Sequence, residues 1–107
     1  MQPLDLPALL TSWQVALRAQ RKSPRTLRSY TEGVVAYLRW CADHDRPVVM
    51  DRRQVVEFTD DMLANGAKPA TATARQMGVR RFSAWLAAEG ELDTDPLLGV
   101  KSPKVDI

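Results

Sequence analysis

Apolar residues recur at intervals of three and four along most of this chain, and no stretch alternates with period two for long. That spacing gives each of several helices one apolar stripe and leaves no half-buried strands from which to build a sheet. With 107 residues, 45% of them apolar, such helices can enclose one modest core. The chain is too short for a two-domain enzyme with a cleft between its domains.

Four main helices follow from the pattern. The first, near residues 5–21, carries Leu6, Leu10, Trp13 and Leu17 on one stripe, with Pro7 tolerable in the first turn. Ser23 followed by Pro24 predicts the second start, a capping hydroxyl and then a residue whose missing N–H costs nothing there. Leu27, Tyr30, Val34, Tyr37, Leu38 and Cys41 form its face, and the helix is expected to fade over residues 43–46, ahead of Pro47. Asp51 with Gln54 predicts a capping box at the third start; Val55, Phe58, Thr59, Met62 and Leu63 make a short stripe that Asn65-Gly66 stops. The fourth helix is predicted from about Thr71 to Glu89, with Val79, Phe82, Trp85 and Leu86 as its face and Gly90 as its stop. Gly78 lies mid-helix at a cost of roughly 1 kcal/mol relative to alanine, which a close helix crossing would explain. Residues 93–99 read as a single capped turn, and residues 100–107 as an aperiodic linker. The expected architecture is all-α, four helices plus a short C-terminal turn.

The composition removes several classes of chemistry. One cysteine, Cys41, excludes an intrachain disulfide framework, and one histidine, His44, argues against a histidine metal cluster or a Cys/His pair. No metal or other cofactor is expected. Asp60-Asp61 and the acids between Glu89 and Asp95 lack the calcium-loop ligand pattern and read as solvated surface. No apolar run reaches 18 residues, so no membrane partner is expected, and Met1-Gln2-Pro3-Leu4-Asp5 does not open like a secretory signal. A reducing, cytoplasmic setting is the expectation.

Net charge is only +2, but its distribution is uneven. Residues 18–28 hold five basic side chains and no acid; residues 62–88 hold four and no acid. Both stretches cover the beginnings of predicted helices, the second and the fourth. A helix N-terminus carries partial positive charge, so arginines there cost the free protein a few tenths of a kcal/mol each, and a polyanion would remove that cost. Free amides, hydroxyls and guanidinium groups together suit phosphate. The second helix offers Ser23, Arg25, Thr26, Arg28 and Ser29; the fourth offers Thr71, Thr73, Arg75 and Arg80. Arginine also suits guanine edges in a major groove wide enough for a helix.

Three ordered motifs carry a family likeness. Ser23-x-x-Thr26-x-x-x-Tyr30 with Leu38 and Trp40 comes first; Val79-Arg80-Arg81-Phe82-Ser83-Ala84-Trp85-Leu86 follows; Asp95-Pro96 then leads to Lys101-Ser102-Pro103-Lys104. Over about residues 8–105 the chain resembles the N-terminal core-binding domain of tyrosine recombinases and phage integrases. Ser83 departs from the pattern, standing where the family often has a second aromatic. The resemblance implies a compact orthogonal bundle of the SAM-like kind over residues 1–99, with residues 100–107 as a linker toward a catalytic domain. It implies a grip on double-stranded DNA at a recombination half-site, with the second and fourth helices entering or bordering the major groove. Ser23, Arg25, Thr26, Ser29, Thr71, Thr73, Arg75, Arg80 and Lys104 are its implied contacts. It further implies two protein partners, the catalytic domain of the same parent chain and other recombinase protomers. The family's nucleophilic tyrosine and its cationic partners belong to that catalytic domain, so no catalytic residue, and no enzymatic activity, is expected here. Two rivals stay open: a SAM-like protein-interaction module and a small helix-turn-helix regulator.

Other residues have plainer expectations. Tyr30 and Tyr37 share an apolar stripe and read as core. His44 reads as an exposed helix-end residue. Trp40 lies off its helix's main stripe and either closes the core edge or meets a partner. Arg52 and Arg53 are expected to pair locally with Asp51 and Glu57.

Overall fold

A computed structural model describes residues 4–103 of the protein, and Lys104, the last of the residues singled out above, lies outside them. Four helices make up the fold: α1 (Leu6–Ala19), α2 (Pro24–Asp43), α3 (Arg52–Ala64) and α4 (Pro69–Ala88). No strand occurs among the described residues.

The helix starts follow local chemistry. Asp5 caps α1 by accepting from the Ala8 amide at 3.2 Å. Ser23 caps α2 from an extended backbone, accepting from the Thr26 amide at 3.1 Å ahead of Pro24. At α3 only half of the predicted box forms. Asp51 accepts from the Gln54 amide at 2.9 Å, but the Gln54 side chain turns inward instead of back to the cap. It donates to the Tyr37 hydroxyl at 3.2 Å and to the Pro47 carbonyl at 2.9 Å, because a buried amide must find partners where it is buried. The fourth helix starts two residues before the predicted Thr71. Pro69 is its first residue, so this proline opens α4 as well as preventing continuation of α3.

All four helices end in the same way. The amide two residues past the cap reaches back into the last turn: Lys22 to Leu17, Arg46 to Cys41, Ala67 to Met62 and Glu91 to Leu86. Gly66 and Gly90 hold the left-handed residue of two of these closures, as their sequence positions predict. Arg21 and Asp45 hold it in the other two, so α1 and α2 end without the glycine that would have announced it.

The core has two halves. Leu6, Leu10, Trp13 and Leu17 of α1 pack with Val34, Phe82 and Leu86; Trp13 stacks between Tyr30 and Phe82 at centroid distances of 5.6 and 5.1 Å. On the other side, Tyr37 and Cys41 of α2 meet Val55 and Phe58 of α3, Val79 of α4, and Leu97 and Val100. The packed unit therefore runs through Val100, the first residue of the stretch that reads as linker.

Helices α2 and α4 cross near their midpoints between these halves, and two glycines make the crossing close. A Cβ on Gly78 would lie 2.7 Å from the Tyr30 carbonyl oxygen, and one on Gly33 would run into the backbone of Arg75. Each glycine thus seats the other helix's backbone, which accounts for the glycine in mid-α4. Ser83 explains itself as well. It is fully buried and donates to Asp95 at 2.6 Å, while Asp95 also accepts from the Leu97 amide at 2.9 Å. A second aromatic there would displace the hydroxyl that ties the C-terminal turn to α4.

Candidate nucleic-acid interface

The crossing decides which side chains of the two basic helices share a surface. Ser29 and Glu32 of α2 and Ala70, Thr71, Ala74 and Arg75 of α4 line one shallow groove of about 300 Å³. It occupies the angle between the N-terminal halves of the two helices. Three predicted residues, Ser29, Thr71 and Arg75, are therefore brought together.

The α2 tip lies at one end of this arrangement. The Ser23 hydroxyl donates to Thr26 Oγ1 at 3.1 Å while accepting from the Thr26 amide, so the predicted cap already satisfies one amide of the first turn. Arg25 and Arg28 are exposed. Among the described residues the ion pairs are His44–Asp61 at 3.2 Å and Arg46–Glu57 at 2.7 Å, so Arg25, Arg28 and Arg75 take part in none.

The α4 tip is built differently. Its cap position is Lys68, whose side chain makes no capping bond. A cation thus stands where an acceptor usually satisfies the first amides, and no side chain of the cap residue bonds to them. Thr71 is the third residue of the helix and exposed, not its cap. A start at Thr71 leaves Lys68 out of the sequence-predicted candidates, and Lys68-Pro69 is the local signal for the earlier start.

Thr73 and Arg80 fall elsewhere. They are seven residues apart and so share a face of α4 other than that of Thr71 and Arg75. Arg80 is half-buried, donates to Ser102 Oγ at 3.1 Å, and lies with Met77, Asp95 and Leu97 beside the C-terminal turn. It is not part of the groove.

Three local expectations take definite form. Trp40 closes the core edge: its indole N–H donates to Asp61 at 2.8 Å, and its ring stacks on His44 and meets Phe58 edge-on. His44 is the α2 cap residue, exposed, and bonded through Nδ1 to the Trp40 carbonyl. Arg52 does not pair with Asp51 or Glu57. It donates to the Leu98 carbonyl at 2.8 Å, because Glu57 is taken by Arg46 from the loop after α2. Asp61 and Asp95, read as solvated surface, are structural acceptors.

Both tyrosines pack with the core. Tyr37 is fully buried, donates to the Val49 carbonyl at 2.7 Å, and burial raises its phenol above the ordinary range. Tyr30 is half-buried in its stack with Trp13. No cluster of three metal-ligating side chains occurs among the described residues, and none of their helices is long and apolar enough to cross a membrane.

The acidic segment is remote from the α4 tip. Glu89, Glu91 and Asp93 follow the C-terminal end of α4, whose 20 residues span about 30 Å. One end of this helix is cationic and the other anionic.

A family model described as the phage integrase N-terminal SAM-like domain matches residues 9–89. No curated protein and no solved structure matches the chain.

Proposed function

Because the chain belongs to the phage integrase N-terminal SAM-like domain family, we propose that it is the core-binding domain of a tyrosine site-specific recombinase, gripping double-stranded DNA without cutting it. The observation that carries the reading is the convergence of Ser29, Thr71 and Arg75 in one groove between two helix tips whose arginines have no carboxylate partner. A phosphate backbone would supply the missing counter-charge.

In this reading Ser23, Arg25, Thr26, Arg28 and Ser29 follow one strand, and Lys68, Thr71 and Arg75 contact the backbone or the groove beside it. Arg80 and Thr73 stand outside that surface. Arg80, with Ser102 and the exposed Leu98, borders the segment that would continue to the catalytic domain. Cleavage chemistry belongs to that domain, and other recombinase protomers would complete the assembly on paired sites.

Fluorescence anisotropy with a labelled duplex tests the proposal. If five to seven phosphates are neutralised, affinity falls about 10²- to 10⁴-fold between 50 and 200 mM salt. A flat salt response, or no binding at 50 mM, would overturn it and favour a protein-interaction module.

A further inference from the structure

The groove at the helix crossing holds one residue that phosphate binding does not explain. Glu32 lines it beside Ser29, Thr71 and Arg75. It is exposed, takes part in no ion pair among the described residues, and is the only acid between Asp5 and Asp43. A carboxylate facing phosphates is repelled by them. Set beside Ser29, Thr71 and Arg75 and two alanines, it is free to accept from a hydrogen-bond donor of a partner.

Base edges supply such donors. In the major groove a G·C pair presents the O6 and N7 acceptors of guanine beside the N4 amino donor of cytosine. Arg75 on one wall of the groove and Glu32 on the other offer the complementary set, two N–H donors and one acceptor. Other pairs fit less fully. A thymine at the Glu32 position would set its O4 acceptor against the carboxylate; an adenine there offers its N6 donor but leaves the guanidinium single acceptors, N7 or thymine O4, in place of the adjacent O6 and N7 of guanine.

We propose that Glu32 and Arg75 together read one G·C pair of the target, with Glu32 accepting from cytosine N4. The inference rests on the DNA-binding reading above and adds to it a specificity-determining residue.

The test begins with selection of bound duplexes from a random pool at 50 mM salt by the full 107-residue chain. The expected result is one strongly fixed G·C position whose fixation weakens in Glu32→Ala. That cytosine is then replaced by the 2-pyrimidinone nucleoside, which lacks only the amino group. The unaltered protein should lose about fivefold to a hundredfold in affinity for the substituted duplex. Glu32→Ala should not distinguish the two duplexes, and should bind random duplex at least as tightly as the unaltered protein. Its circular dichroism and melting should match, since Glu32 is exposed and unpaired. Equal losses in both proteins, indifference of the unaltered protein to the analogue, or selection without a fixed G·C pair would each overturn the inference. Those results, combined with steep salt dependence, would leave DNA binding standing; failure to bind any duplex at 50 mM would remove both.

Discussion

Replacing Gly78 by alanine should destabilise this protein, although the same change in an isolated helix would stabilise it by about 1 kcal/mol. The added Cβ would lie 2.7 Å from the Tyr30 carbonyl oxygen, 3.0 Å from its Cα and 3.2 Å from its carbonyl carbon. Ordinary contact at 3.4 Å therefore requires α2 and α4 to part by about 0.7 Å. The obstacle is backbone, so no side-chain rotation relieves it. Overpacking of this kind costs typically 1–3 kcal/mol, and parting the helices also loosens Val34 and Phe82 on one side and Tyr37 and Val79 on the other. After the propensity gain of about 1 kcal/mol is set against it, the expected net loss is up to about 2 kcal/mol. Urea titration followed by circular dichroism reads this directly, and melting should fall by about 4–8 °C per kcal/mol. Gly33→Ala should cost more, since its Cβ would press harder on the Arg75 backbone. The double variant should cost less than the sum, because helices already parted accommodate the second methyl. Ala84→Gly, at an exposed position of α4, is the control and should lose about 1 kcal/mol. A Gly78→Ala protein more stable than the parent would refute the reasoning.

Three further outcomes are expected. Ser23→Ala removes the α2 cap and should cost about 1 kcal/mol in urea stability, with the loss concentrated in amide-exchange protection of the first turn of α2. Ser83→Ala breaks a buried bond to a carboxylate and should cost about 2 kcal/mol by the same titration, more than the surface change Ser12→Ala. Burial raises both the Tyr37 phenol and the Cys41 thiol, so the folded protein keeps protons that the unfolded chain releases. Stability should accordingly be level up to about pH 8 and fall as pH rises through the ordinary thiol and phenol ranges; Tyr37→Phe should flatten the steep part above about pH 10.

Much of the fold was legible because it is written in local terms. The stripe Leu6, Leu10, Trp13 and Leu17 is buried as spaced, and Asp51, Ser23, Gly66 and Gly90 cap and close helices where their side chains or backbones demand it. What escaped depends on the third dimension. Gln54 reads as a cap partner, and only the approach of Tyr37 and Pro47 turns its amide inward. Asp95 reads as surface, and only the burial of Ser83 makes it an acceptor. The site divides along the same line. Ser29, Thr71 and Arg75 carry visible chemistry, but which face of α4 meets α2 is fixed by Gly33 and Gly78 seating each other's backbones. Without that crossing, Thr73 and Arg80 look equivalent to Thr71 and Arg75, and Glu32 looks like any solvated acid.

The central claim is that the two helix tips engage one duplex together, and amide chemical-shift mapping of the isotope-labelled protein tests it most directly. On titration with a selected duplex at low salt, amides of residues 23–29 and 68–75 should move in concert and saturate at the same DNA concentration, while those of residues 89–95 stay still. Movement of one tip alone, or shifts centred on α3 and the C-terminal turn, would contradict the account.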